Sequence, residues 1–373
     1  MAEPGPRGLY NSLVDVFDFV AGEGYEQVVF NYDRASGLRA IIAIHSTALG
    51  PALGGTRYWR FESEAAAVTD ALRLAKAMSY KNAAAGLDLG GGKAVIMAEG
   101  DGAKSEELLR AYGRFIDTLG GRYITAEDVG TTGEDMDMIH RETRWVTGIS
   151  PAYGGSGDPS PATAYGVIHG MRAVALELWD DPTLDGRRFA VQGVGKVGKA
   201  LVGHLVQAGA DVVVADVNRE HAERCAAEHD VKVVDTSRIH ATPCDVFVPC
   251  ALGGVLNDDT IPELACSAVA GAANNQLLRA DHAEMLQDLG ILYVPDFIIN
   301  AGGVINVADE LNGYDERRAH LRIEGIYGNV LKVLETARKE NVTPSVAANR
   351  VAEERIRSVG RIRLIRGPQT ATF

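Results

Sequence analysis

Residues 187–220 read RRFAVQGVGKVGKALVGHLVQAGADVVVADVNRE, and this segment constrains the fold more than any other. It spells an apolar strand, a glycine turn, a helix and a second strand. A crossover helix between two strands forces parallel pairing, and a parallel sheet is covered by helices on both faces. Further short β-rich runs follow, VKVV, DVFVPC, SAVAGAA and ILYVPD. Strands alternating with helices in this way predict an α/β, doubly wound sheet of the Rossmann type.

The turn itself is Gly193-Val194-Gly195-Lys196-Val197-Gly198, a G-x-G-x-x-G followed by Lys199. Gly193 permits the tight turn, Gly195 lets a pyrophosphate approach the backbone, and Gly198 lets the helix pack on the sheet. The helix N-terminus offers free N–H groups and a positive dipole end. Asp216 closes the second strand at about the ~20-residue distance at which an acidic residue meets a ribose. Its carboxylate would accept from a ribose diol and repel a 2′-phosphate, which favours NAD over NADP. Arg219 nearby weakens that preference.

The N-terminal part is a second α/β unit. EQVVFNYDRASGLRAIIAI holds two β-rich runs around Ser36-Gly37, a hairpin signal. ESEAAAVTDALRLAKAMSYKNAA reads as a helix, GKAVIMA as a short buried strand, SEELLRAYGRFIDTLGG as a helix stopped at Gly120-Gly121, and RYITAED as a strand ending in carboxylates. Gly, Ser and Pro dominate 150–161, a loop or hinge. The helix after it is expected to be capped by Ser160 with Pro161 in its first turn. Two helical patterns end the chain, IEGIYGNVLKVLETARKE and PSVAANRVAEERIRSVGRIR. A length of 373 residues suits two domains, placed at 1–150 and 151–334.

A net charge of −13 argues against a nucleic-acid partner, which needs a basic face. No apolar run approaches the ~20 residues of a membrane span. The start, MAEPGPRGLYNSL, lacks the pattern of a signal peptide. Cys225, Cys244, Cys250 and Cys266 include no C-x-x-C and suit buried core thiols in a reducing cytoplasm. No metal site is expected.

The stretch KNAAAGLDLGGGKAV, Lys81 to Val95, sets two lysines around three consecutive glycines. A phosphate P-loop fails at both ends, because its first glycine would fall on Leu87 and its Ser or Thr on Ala94. Two ammonium groups in an apolar, glycine-rich setting remain, with the glycines allowing backbone and substrate to approach closely. Asp128, at the end of a predicted strand, adds a carboxylate. This trio suits binding of a carboxylate and acid–base work at a carbonyl. A lysine desolvated beside another cation has a depressed pKa, which brings it toward proton transfer near neutrality.

These motifs resemble the glutamate/leucine/phenylalanine/valine dehydrogenases. The likeness runs from about Glu26 to about Ile356 through LGPALGGTRYW, YKNAAAGLDLGGGKAVI, GRYITAEDVGTT, GISPAYGGSGDPSPATAYGV, AVQGVGKVG, CDVFVPCALGG, VAGAANNQL and PDFIINAGGVINVADEL. The resemblance implies a two-domain enzyme that reversibly deaminates an L-amino acid to a 2-oxo acid and ammonia, with NAD as hydride acceptor. It assigns substrate binding and oligomerisation to 1–150, and lets the helices at about 335–373 pack back on that domain. Lys81 would bind the α-carboxylate, Lys93 would be the catalytic lysine, and Asp128 would shuttle protons. Gly54 and Gly55 would line the substrate site, and Thr163 and Asn274 would position the nicotinamide. Lys196 and Lys199 depart from the family's neutral residues, either as aids to pyrophosphate binding or as surface variation.

By the same resemblance, Leu53, Ala126, Val304 and Val307 contact the substrate side chain. Four aliphatic residues without a cation should reject glutamate, whose second carboxylate would be buried unpaired. A branched aliphatic substrate fits, leucine first and valine next, in branched-chain amino-acid catabolism, while a phenylalanine side chain needs more room. A homo-oligomer is implied, an octamer if the substrate is leucine. The reading from another class is an NAD-sensing protein without chemistry, and a second lysine-bearing site argues against it.

Overall fold

The computed structural model describes residues 16–98 and 104–361. The N-terminal stretch read for a signal peptide, and residues 362–373, lie outside the described residues. The chain forms two compact units, 1–79 with 89–146 and 80–88 with 147–373.

The first unit contains α1 (Val16–Glu23), β1 (Gln27–Asp33), β2 (Leu38–Ser46), β3 (Ala52–Trp59), most of α2 (Glu64–Ala84), β4 (Gly90–Met97), α3 (Glu106–Asp117), β5 (Tyr123–Glu127) and α4 (Gly133–His140). Its sheet runs β1-β2-β4-β3-β5. The expected hairpin is β1–β2, and β2 pairs antiparallel with β4. β4, β3 and β5 are mutually parallel neighbours. α2 lies on this sheet through Ala67, Ala71 and Ala75, which pack with Ile41, Ala43 and Val95. On α3, Ser105 caps the N-terminus by accepting from the Leu108 N–H, and Leu109, Tyr112, Phe115 and Ile116 form the buried face. The helix ends at Asp117, before the Gly120-Gly121 pair expected to stop it.

Two local features go beyond the sequence reading. Residues 52–59 form a strand between β4 and β5, although the Gly54-Gly55 pair hides its β character. The expected strand GKAVIMA starts two residues earlier, at Gly90, so all three glycines before Lys93 belong to β4. A Cβ on Gly90 would stand 1.9 Å from the Ser46 carbonyl oxygen, and one on Gly91 2.0 Å from the Ser79 nitrogen. On Gly92 it would meet the Tyr123 ring at 2.8 Å. The glycines are therefore demanded by the protein's own close packing of strand on strand and strand on helix.

The second unit contains α5 (Ser160–Trp179), β6 (Arg188–Gln192), α6 (Lys196–Gln207), β7 (Asp211–Ala215), α7 (Arg219–His229), β8 (Lys232–Val233), β9 (Val246–Pro249), β10 (Ala268–Val269), α8 (His282–Asp288) and β11 (Leu292–Tyr293). It continues with α9 (Asp296–Ile299), α10 (Gly302–Asp309), α11 (Glu316–Glu324), α12 (Ile326–Glu340) and α13 (Pro344–Gly360). The sheet order β11-β10-β9-β6-β7-β8 is wholly parallel. Read from the first strand outward, this is the doubly wound order whose topological switch point lies between β6 and β9.

α5 begins at Ser160, but Ser160 is not its cap. Pro159 holds the cap position without a side-chain bond, and the Ser160 N–H donates to Asp158 Oδ1 at 2.9 Å. The preceding loop is tied down by Glu310, whose carboxylate accepts from the Gly148 and Ser156 N–H groups at 3.0 and 2.8 Å. α12 and α13 pack together in this unit, where Glu353 accepts from Tyr80 and Arg355 pairs with Asp88. Among the described residues no helix is long and apolar enough to cross a membrane.

Two glycine substitutions should separate. Gly91→Ala forces a Cβ into the Ser79 backbone and should cost about 1–3 kcal/mol or more. Gly328→Ala, exposed on α12 with nothing within 4 Å, should stabilise by about 0.5–1 kcal/mol. Urea unfolding of both variants checks the pair of signs.

Candidate active site

In the first unit the parallel register carries a constant offset, Leu53 opposite Gly91 and Thr56 opposite Ala94, which sets Lys93 level with Gly55. Gly55 pairs with Ala126, and Leu53 with Ile124. Alternation along strands therefore puts Leu53, Gly55, Lys93 and Ala126 on one face of the sheet. The opposite face holds a buried hydroxyl cluster, with Thr56 bonded to Tyr112 and Thr125 at 2.5 and 2.6 Å. Asp128 stands one residue past β5, and its backbone N–H donates to Thr131 Oγ1.

Lys93 is only 5% exposed, so it is no surface lysine. Its ammonium meets Asp128 Oδ2 at 2.8 Å. The same oxygen accepts from Arg57 Nε at 3.1 Å, and Arg57 Nη1 reaches Asp70 at 2.8 Å. Charges thus alternate along Lys93, Asp128, Arg57 and Asp70. Burial pushes Lys93 below the usual lysine value, with Asp128 pulling the other way. Burial also works against the charge on Asp128, but Lys93 and Arg57 outweigh it and hold the carboxyl below its ordinary value. The result is a carboxylate held in its ionised form beside an ammonium whose pKa burial lowers.

Gly54 and Gly55 have no room for side chains. A Cβ on Gly54 would stand 1.8 Å from the Gly92 oxygen, and one on Gly55 2.6 Å from the Glu127 oxygen. Arg57 and Asp70, which fix Asp128, were not singled out from the sequence, although Arg57 lies in the LGPALGGTRYW motif.

Lys81 groups with the second unit. Its ammonium donates to Asn300 Oδ1 at 2.7 Å, and Asn300 Nδ2 donates to Asn274 Oδ1 at 2.8 Å and to the Ala272 carbonyl at 3.1 Å. Asn300 thereby joins two sequence-selected residues, Lys81 and Asn274, although it was given no role within PDFIINAGG. Thr163 stands on the first turn of α5 against α10. A Cβ on Gly303 would meet its Oγ1 at 2.6 Å. α10 also carries Val304 and Val307, the latter buried.

The glycine turn has the conformation its sequence requires. Gly193 sits at φ 94°, and its N–H donates to the Ala215 carbonyl at 2.7 Å. A Cβ on Gly198 would stand 2.0 Å from the Gly193 oxygen, so only glycine lets α6 pack here. Gly195, by contrast, has nothing within 4 Å, and it caps α6 without a side-chain bond. An open cradle over uncapped N–H groups fits a pyrophosphate, and NAD is therefore compatible with these residues. Val194 donates its N–H to Asp216 Oδ2 at 2.8 Å, which fixes that carboxylate at the turn. Lys199 turns away to Glu228 on α7 at 2.6 Å, while Lys196 pairs with Asp158 at 2.9 Å. Arg219 is engaged by Glu223 at 2.7 Å.

Comparison with known proteins agrees with both halves. The profile of the Glu/Leu/Phe/Val dehydrogenase dimerisation domain matches residues 25–145. That of the Glutamate/Leucine/Phenylalanine/Valine dehydrogenases matches 154–219 and 214–362. Leucine dehydrogenase of Bacillus subtilis is 54% identical over 94% of this chain and 96% of its own. Valine dehydrogenase of Streptomyces coelicolor is 55% identical over 89% of this chain and 92% of its own. The crystal structure of L-tryptophan dehydrogenase from Nostoc punctiforme superposes with a TM-score of 0.83 at 45% identity, covering 92% of this chain and 99% of that one.

Asp216→Ala should weaken NADH binding by about tenfold or more, the worth of a hydrogen bond to a charged group. NADPH binding should not weaken in parallel, because the repelling charge is gone. Fluorescence titration with both nucleotides measures this, and an equal loss for both would exclude ribose discrimination by Asp216.

Proposed function

The chain belongs to the glutamate/leucine/phenylalanine/valine dehydrogenase family and is an NAD-dependent amino-acid dehydrogenase, and we propose that its preferred substrate is L-leucine. The reaction is reversible oxidative deamination to the 2-oxo acid and ammonia. The near full-length likeness to leucine dehydrogenases carries the substrate reading. The comparable likeness to valine dehydrogenases makes valine the second reading.

The glycine turn and Asp216 would hold NAD, which would supply the acceptor for the hydride of the substrate Cα. Lys81, oriented by Asn300, would hold the α-carboxylate. Lys93 would then take a proton from the water that attacks the iminium carbon, which its lowered pKa favours. Asp128, kept ionised by Lys93 and Arg57, would pass protons to and from the departing amine. Leu53, Ala126, Val304 and Val307 would receive the aliphatic side chain, and Leu53 is only 1% exposed on the Lys93 face. Thr163 and Asn274 would orient the nicotinamide, and Gly193 to Gly198 with Asp216 would hold the pyrophosphate and ribose. Lys196 and Lys199 are assigned to the pyrophosphate turn, where Asp158 and Glu228 now pair with them.

We assign acid–base chemistry to the first unit and nucleotide binding to the second. The first unit matches a dimerisation domain, so the chain works as a homo-oligomer. We assign an octamer and a cytoplasmic location, which suits its four free cysteines.

Measured as kcat/KM over Leu, Val, Ile, Phe and Glu, leucine should lead. A single methylene should separate the aliphatic substrates by roughly 10–200-fold at most. A preference for Phe or Glu would overturn the pocket assignment. Lys93→Ala should lose about 10²–10⁴-fold in kcat with NADH binding largely kept. Turnover that survived the substitution would remove Lys93 from the chemistry.

A further inference from the structure

Cys244 and Cys266 take no part in the chemistry above, yet the second sheet places them opposite each other. β9 and β10 pair as Val246 with Ala268 and Phe247 with Val269. Carried two residues back, the same register sets Cys244 against Cys266 on one face. The backbone holds that alignment, because the Cys244 N–H donates to the Ala265 carbonyl at 3.1 Å and the Ser267 N–H to the Asp245 carbonyl at 3.0 Å. Neighbouring strands lie about 4.8 Å apart, within the Cα separation of ~4.4–6.8 Å that a disulfide spans.

Both side chains line a cavity of about 370 Å³, with Arg188, Asp245, Ser267 and Leu289 at its wall. Cys244 is buried, and Cys266 is partly exposed. The two thiols influence each other, which raises Cys244 and lowers Cys266. The other two cysteines lack such a partner, and burial pushes Cys250 up to about 12. A partly exposed thiol set opposite a second thiol is the arrangement of a reversible redox pair.

We propose that Cys244 and Cys266 are a modification site at which a hydroperoxide closes a reversible disulfide between the feet of β9 and β10. The Cys266 thiolate attacks one peroxide oxygen, breaks the O–O bond and becomes a sulfenic acid as hydroxide leaves. The Cys244 sulfur then attacks the Cys266 sulfur, its proton going to the departing oxygen, which leaves as water. The two thiols are oxidised by two electrons and the peroxide is reduced. The bridge would form at the N-terminal ends of the strands, whereas the glycine turn lies at a C-terminal end, so it does not depend on which substrate the enzyme prefers.

The test treats the folded, full-length protein with hydrogen peroxide, blocks remaining thiols by alkylation and maps peptides by mass spectrometry. Two of the four thiols should disappear into a Cys244–Cys266 peptide, and dithiothreitol should restore them. In Cys244→Ser the oxidation should stop at a Cys266 sulfenic acid captured by dimedone, and in Cys266→Ser no capture should occur at Cys244. Survival of all four thiols, a bridge involving Cys225 or Cys250, or dimedone capture first at Cys244 would overturn the proposal.

Discussion

The ion pair between Lys93 and Asp128, 2.8 Å apart on the first unit's mixed sheet, is the interaction the proposed chemistry depends on. Removing an ammonium from water costs several kcal/mol, and Asp128 offsets that cost only while it stays charged. Arg57 ensures this by sharing the same carboxylate oxygen, and Asp70 in turn anchors Arg57. The second cation matters because it decides which partner titrates first. With Arg57 in place the carboxyl rests ionised, and the lysine is the partner whose pKa burial lowers.

The fold exists around this pair in a specific sense. Lys93 and Asp128 lie on β4 and at the end of β5, strands that are not neighbours, because β3 runs between them. A side chain at position 55 would meet the Glu127 carbonyl and the Asp128 Cβ. Glycine at that position leaves the carboxylate where the ammonium can reach it. The glycines of β4 serve the same end, since they let the strand lie against Ser46, Ser79 and Tyr123. In the second unit the order of six parallel strands creates the switch point, and Gly195 leaves it open.

The parts most legible in the sequence were those governed by local rules. The strand, glycine turn, helix and strand at 187–220 carry their own periodicity and their own backbone requirements, and the structure has each element. The motif order identified the family for the same reason. Less legible was anything set by long-range packing. β3 was hidden because Gly54 and Gly55 lower β propensity while serving close approach across strands. The start of β4 was placed at Gly92 instead of Gly90 for the same cause. Ser160 looked like a cap because Pro161 follows it, but Pro159 holds that position and the Asp158 carboxylate, two residues earlier, takes the Ser160 N–H. Arg57 and Asn300 gave no sign of their roles, since each acts through a partner far away in sequence.

The charge state of Lys93 is the centre of the account, and it can be observed directly. With lysine labelled at ¹³Cε and the Lys93 resonance assigned by its loss in Lys93→Ala, the shift is followed against pH in the wild type and in Asp128→Asn. Burial lowers the Lys93 pKa and the Asp128 charge raises it, so the wild-type titration should fall below the ordinary lysine range and lower still in Asp128→Asn. A Lys93 resonance that titrates with the surface lysines, or that moves to higher pH when Asp128 is neutralised, would contradict it.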